Sequence, residues 1–459
     1  MPLVLPFAFA LLLGAACLAA LASPLPFLAP LLILGLAGMI ALYRWPAWGL
    51  LGILVFVPLE GLFSDTGGFT LNKLLGLALI LLVGLQLLLG KLRREHLRSN
   101  LWPLLGALLF WYLLSLAFSV HLGLSLLELR QLLVGVALFV LTVVLCRSFD
   151  LMLLAKLVSL SVAGACLVGV LNAAEQLNGR ATGLLTDPNY FALLITFAFP
   201  LALLSLLRSP GLLRRLFWLG VLVLLLAGLG KTGSRSGLMV LLLTCALSVW
   251  HYRDSLKTLV PRHLGWLVLG LAITLPLLPS LLPDDFKQRL TALASLGSRV
   301  TIQTDTSLAR RASYLLVGKE IIKEHPLLGS GPGTYPLEFA KTGYAIAFAH
   351  RPDVTQLYRE AHNTYLSMFS ELGVPGGLLF LALVFVALRN FHRARSRWLE
   401  RGDTEQAALA THLGLAFAVL ALFLLFLTVP SHKYLWVMLG VASHLYRQAH
   451  EPEAREELS

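Results

Sequence analysis

Runs of about 20 apolar residues recur along the chain with short polar punctuation between them. They fall at about 3–22, 26–42, 47–63, 73–90, 102–120, 125–146, 151–172, 188–207, 216–230, 236–250, 264–282, 364–388, 407–428 and 434–447. An α-helix needs about 20 such residues to cross the hydrocarbon core of a bilayer. The runs do not alternate apolar and polar positions, which argues against a membrane β-barrel. Some are short, so the pattern predicts an all-α, polytopic transmembrane bundle of about 12–14 spans. One segment breaks the pattern. From about 283 to 362 the apolar runs stop and Lys, Arg, Asp, Glu, Gly and Pro become common. Three regions follow: transmembrane helices with short loops over 1–282, a long, partly helical loop over 283–362, and further transmembrane helices with a tail over 363–459. Inside the loop a first helix is predicted over about 283–297. A second is predicted over about 307–324, with Asp305 or Ser307 as its cap and Pro326 just beyond its end. The apolar N-terminus lacks a positive leader and reads as the first span.

Composition agrees. The 459 residues are 58% hydrophobic and 13% charged, against roughly 25% charged in soluble domains. The formal charge of +12 is the loop bias of a membrane protein rather than a nucleic-acid footprint, because no basic stripe is interleaved with exposed aromatics. With the N-terminus inside, the loops YRWP (43–46), KLRREHLRSN (91–100), CRSFD (146–150), RSPGLLRR (208–215), HYRDSLKTLVPRH (251–263) and RNFHRARSRWLERGD (389–403) lie inside and together are rich in Lys and Arg. The short outside loops carry Lys73, Arg180, Lys231, Arg235 and Lys433. This satisfies the positive-inside rule, from which long translocated loops are exempt. The outward basic residues therefore do not serve topology. The four cysteines, Cys17, Cys146, Cys166 and Cys245, lie in or beside apolar runs without a CxxC spacing and read as buried thiols.

Several outward residues could carry chemistry. Arg235 stands in GKTGSRSG between two closely spaced spans. It reads either as a snorkelling anchor or as an anion ligand beside backbone N–H groups at the next helix start. A nucleotide loop is excluded, since Leu225 stands where that pattern needs Gly. In TDPNYFALL, Asp187 and Asn189 flank a Pro that opens a helix, and Arg180 lies just before them. On the second loop helix, Arg310 shares a face with Tyr314, Val317 and Ile321, and Arg311 shares one with Leu315, Gly318 and Ile322. Both faces are largely apolar, so periodicity does not choose between them. An Arg among apolar residues above a bilayer suits a lipid phosphate, whose oxygens it binds in a fork. GSGPGTY (329–335) reads as a loop corner. In EAHNTYL, His362 is the best general-base candidate, with an unperturbed pKa of about 6.5, and Glu360, Asn363 or Glu371 could orient it. No HExxH, DxD or clustered His/Cys stands in the outward loops, so neither a metal nor another cofactor is expected.

The SRSG turn with Arg235, the loop helix running into KEHPLLGSGPGTY and the segment EAHNTYLSMFSELGVPGGLLFL together resemble the O-antigen ligase/polymerase family of bacterial envelope glycosyltransferases. The specific part of the likeness runs from about Arg310 to Leu379. It departs at Leu315, where the family often has an aromatic, and at Glu360, where it often has a second His. The resemblance implies a multi-pass inner-membrane enzyme with its active site and long loop facing the periplasm. It implies transfer of a glycan from undecaprenyl diphosphate to an acceptor, without metal or nucleotide sugar. For a ligase the acceptor is lipid A–core. For a polymerase it is a second glycan repeat, and in some relatives it is protein. By the same resemblance Arg235 and Arg311 match diphosphate-contacting arginines and His362 the catalytic base, with Arg310, Arg180, Glu360, Asn363 and Asn189 as neighbouring binding candidates. The expected partners are the lipid-linked donor, the acceptor and membrane lipid. The rival from another class is a transporter or flippase of the same lipid-linked sugars. It would place charges deep in several spans, whereas the charges within them are few, among them Glu128, Arg130 and Lys156.

Overall fold

The computed structural model describes residues 28–63, 71–92, 94–171, 176–177, 179–251, 306–348 and 357–451, with a few positions near the N-terminus. The spans expected at 3–22 and 264–282 and the helix expected over 283–297 lie outside the described residues or largely so. The described chain is helical almost throughout. Its helices are α1 (Leu28–Arg44), α2 (Pro46–Phe56), α3 (Leu71–Leu88), α4 (Trp102–Ala117), α5 (Leu122–Leu145), α6 (Leu151–Leu171), α7 (Pro188–Leu207), α8 (Leu212–Thr232) and α9 (Arg235–His251). The loop helix α10 (Thr306–Glu324) and two short helices, α11 (Tyr335–Ala340) and α12 (Gly343–Ala347), come next. The chain then returns through α13 (Thr364–Glu400), α14 (Thr404–Phe423) and α15 (Lys433–His450). A two-residue antiparallel pair, β1 (Gln176–Leu177) with β2 (Arg180–Ala181), is the one departure from helix among the described elements.

Among the described residues six helices are long and apolar enough to cross a membrane, or seven if the sharply bent pair α1–α2 is one span. The bundle is all-α and multi-pass, as the apolar pattern predicts. Local sequence explains where the helices start. Pro46 and Pro188 open α2 and α7 at positions whose N–H groups would be orphaned anyway. Asp187, Asn363, Asp403 and His432 cap α7, α13, α14 and α15 by accepting backbone N–H bonds. The core lies between α5, α6, α7, α13, α14 and α15. Phe197 stacks on Tyr434 at 4.7 Å, and the Tyr434 hydroxyl donates to the Leu54 carbonyl at 3.0 Å.

α13 is broken near its first third. Gly373 takes φ 70°, ψ −178°, and Pro375 follows. A Cβ at Gly373 would stand 2.1 Å from the Leu327 carbonyl oxygen, so the break is where the segment after α10 presses against the helix. The Val374 N–H donates to the Pro326 carbonyl at 2.8 Å there. A second small core sits beside the bundle: Tyr314, Val317 and Ile321 of α10 pack on Tyr335, Phe339, Ala345 and Ala361. Gly373→Ala is therefore expected to destabilise the protein in detergent, by at least about 1–3 kcal/mol from backbone strain alone, and to lower its unfolding midpoint. Gly343→Ala, where a Cβ meets nothing within 4 Å, should leave the melt unchanged.

Candidate functional site

Two sets of polar and cationic side chains are linked through Asp187 at the start of α7, whose charge acts on His362. The first set is built on the turn between α8 and α9. Gly233 ends α8 in the left-handed region, and α9 starts at Arg235. Arg180 donates from Nε to the Thr232 carbonyl at 2.7 Å and from Nη2 to Asn189 Oδ1 at 3.1 Å. A guanidinium on the last carbonyls of a helix suits the negative end of its dipole. Ser234 donates its hydroxyl to the same Asn189 oxygen at 2.9 Å. Arg180, Asn189 and the turn carrying Arg235 are thus one hydrogen-bonded unit. Asp187, two residues earlier, accepts the Asn189 and Tyr190 N–H groups at 2.6 and 2.9 Å.

The second set is built on α10 and the segment 359–363. The face of α10 that carries Arg310 is the buried one, since Tyr314, Val317 and Ile321 are all in the small core. Arg311 turns aside, and its guanidinium lies 5.8 Å from the Phe426 ring centroid. The two arginines, which periodicity leaves equivalent, thus take different places: Arg310 heads the packed face and Arg311 the face toward the bundle. His362 has a left-handed backbone, φ 46°, a region that His enters more readily than most side chains but still at an energetic cost, and such residues cluster at functional sites. Its ring lies 5.5 Å from that of Tyr314. Burial holds the imidazole below its ordinary pKa, helped by Arg311 and Arg359 and opposed by Asp187. Asp187 therefore joins the two sets: it caps the helix start that Arg180 and Ser234 grip, and its charge reaches His362. Glu360 keeps its outer surface in solvent, yet the surrounding protein raises its carboxyl, and Glu128 and Asp187 raise it further.

The GSGPGTY segment is a docking clamp rather than a plain corner. Glu371 of α13 accepts the Gly333 N–H at 3.0 Å and the Tyr335 N–H at 3.1 Å. Ser330 and Gly331 donate backbone bonds to the Ser370 and Glu371 carbonyls. Ser125 of α5 donates to the Pro332 carbonyl at 2.7 Å. Gly333 has φ 71°, and a Cβ there would stand 2.3 Å from Glu128 Cγ, so only glycine lets the loop lie this close to α5. Glu371 is thus engaged by the loop and does not orient His362. Asn363 caps α13, accepting the Leu366 N–H at 3.0 Å.

Of the site residues expected from the sequence, Arg180 and Asn189 are hydrogen-bonded to the turn that carries Arg235, while Arg311 acts electrostatically on His362, and Asp187, which caps the helix bearing Asn189, does so as well. Sequence reasoning missed Arg359, whose buried Nε has no hydrogen-bond partner among the described residues, and the tyrosines Tyr314 and Tyr335. Only the adjacency of Arg359 to EAHN signals it. Among the described residues no group of three or more His, Cys, Asp or Glu is placed to hold a metal ion.

Residues 220–381 match the family model described as O-antigen ligase. The match spans the Arg235 turn, the loop and the first part of α13. No curated protein matches the chain significantly.

The electrostatics around His362 can be read from pH–rate profiles. The acid limb of kcat/KM should fall below the ordinary imidazole value of about 6.5, because burial, Arg311 and Arg359 disfavour the imidazolium. Arg311→Gln should move that limb up in pH. Asp187→Asn, which keeps a capping side chain, should move it down.

Proposed function

We propose that this chain, whose residues 220–381 match the O-antigen ligase family model, is a membrane glycosyltransferase that moves a glycan from undecaprenyl diphosphate to a hydroxyl of lipid A–core at the periplasmic face of the inner membrane. The observation that supports this reading is that Arg311, Arg359 and Asp187 act on His362, while Asp187 also caps the helix whose Asn189 is bonded to Arg180 and to the turn of Arg235. The chemistry then runs without a metal. Arg235 and Arg311, with Arg180, Arg310 and Arg359 around them, hold the donor diphosphate. His362, neutral near pH 7 because its pKa is depressed, takes the proton of the acceptor hydroxyl. The oxygen attacks the anomeric carbon opposite the diphosphate, a new C–O bond forms, and the bond to the phosphate oxygen breaks. Undecaprenyl diphosphate leaves with its extra negative charge offset by the guanidinium groups. Attack from the opposite face inverts the anomeric configuration. Asp187 and Glu360 balance the cations, so the site does not carry an unrelieved positive charge against its own imidazolium.

Purified protein with lipid-linked glycan, lipid A–core and EDTA tests this. His362→Ala should lower turnover by about 10²–10⁴-fold. Arg311→Leu and Arg235→Leu should each lower it by about 10²–10³-fold, the scale of a lost transition-state charge contact. Transfer by His362→Ala at the normal rate would remove the base. Extension of a second lipid-linked glycan in place of lipid A–core would make the protein a polymerase with the same chemistry.

A further inference from the structure

A continuous set of contacts leads from the middle of the bundle to the imidazole. Glu371, 5% exposed on α13, holds the Tyr335 N–H at 3.1 Å. Tyr335, 1% exposed, donates its phenolic hydroxyl to the Tyr314 carbonyl at 2.7 Å. Tyr314, 3% exposed, lays its ring 5.5 Å from His362 at an interplanar angle of 34°. Arg310 and Arg311 precede Tyr314 by one helical turn. A carbonyl has two lone pairs, so the phenol adds to the helix bonding of α10 instead of competing with it. Burial first, then Tyr314 and Glu371, push the Tyr335 phenol far above its ordinary pKa, so it remains a donor. Phe339 packs on both tyrosine rings, at 5.2 and 6.4 Å, but takes no part in the hydrogen bond.

We propose that Tyr335 is a positioning residue for the transfer reaction: its hydroxyl fixes α10 at the height that sets Tyr314 against His362 and the arginine pair beside it. The proposal rests on the reading of His362 as the base. Tyr335 touches neither substrate nor reacting atoms. Its effect runs through the geometry of two groups that do, where a displacement of about 1 Å costs about 10²-fold. The same displacement moves Arg311 relative to the imidazole, and the charges facing His362 are Arg311 on α10, Arg359 beside it and Asp187 before α7.

The test is Tyr335→Phe in the full chain, assayed with lipid-linked glycan and lipid A–core. Expected are a fall in kcat of about tenfold or more, a smaller change in donor KM, and an acid limb shifted up in pH as Arg311 relaxes from His362. Phe339→Leu loosens the same cluster without touching the bond and should leave the acid limb in place. Unchanged kcat in Tyr335→Phe overturns the proposal. So does a fall in kcat with an unmoved acid limb, or an equal shift in Phe339→Leu, since each reduces Tyr335 to a packing residue. Should Tyr335→Phe not fold, Glu371→Gln, which gives up one of the two loop acceptors, is measured in the same way: a lower kcat with a raised acid limb supports the proposal, and an unmoved acid limb overturns it. Full activity of His362→Ala would instead sink the base assignment, and is read separately.

Discussion

The Glu371 carboxylate, buried in α13 and bonded to two backbone N–H groups of the loop, is the contact on which the rest of the site depends. A carboxylate in that position is costly unless its oxygens are paired. Gly333 and Tyr335 supply two backbone N–H partners. Ser367 on the same helix supplies a further bond, but the first two are gained only when the loop is docked. The loop in turn can dock only because Gly333 and Gly373 let two backbones approach where a Cβ would collide. A long polar segment outside a membrane has little reason to adopt one position over the bundle. Here it is tied down at its middle, and α10, the arginines and the segment leading to His362 follow from that tie.

Around this anchor the charges are arranged in opposition. The protein sets Arg311 and Arg359 beside one imidazole, and together with burial they make that imidazole a weaker proton acceptor. Asp187 works the other way on His362 while capping α7. One side chain therefore sets a helix start, grips the Arg235 turn through Asn189 and trims the basicity of the candidate base. Arg180 likewise has two roles, closing α8 at Thr232 while holding Asn189.

Much of this is legible in the residues themselves. The apolar runs announce the bundle. Asp187 before Pro188 announces the start of α7, and the pattern over 307–324 announces α10, which the structure extends by one residue to Thr306. These signals are local, set by chain stiffness, capping and periodicity. What stayed hidden is what depends on partners far along the chain. GSGPGTY reads as a corner because nothing within it points to Glu371, 36 residues beyond Tyr335. Arg310 and Arg311 look equivalent because both faces of α10 are apolar; only the arrival of Tyr335 and Phe339 buries one of them. Arg359 carries no pattern of its own. The pairing of Arg180 with Asn189 crosses from β2 to α7 and has no periodic signature.

The most direct measurement of the central claim is a structure of the full protein in lipid nanodiscs with a non-transferable lipid-linked glycan diphosphate bound. The phosphate oxygens should lie between Arg235 and Arg311, with the anomeric carbon facing a space that His362 borders. Density for the diphosphate elsewhere on the bundle, with the two arginines on separate surfaces and His362 away from the sugar, would contradict it.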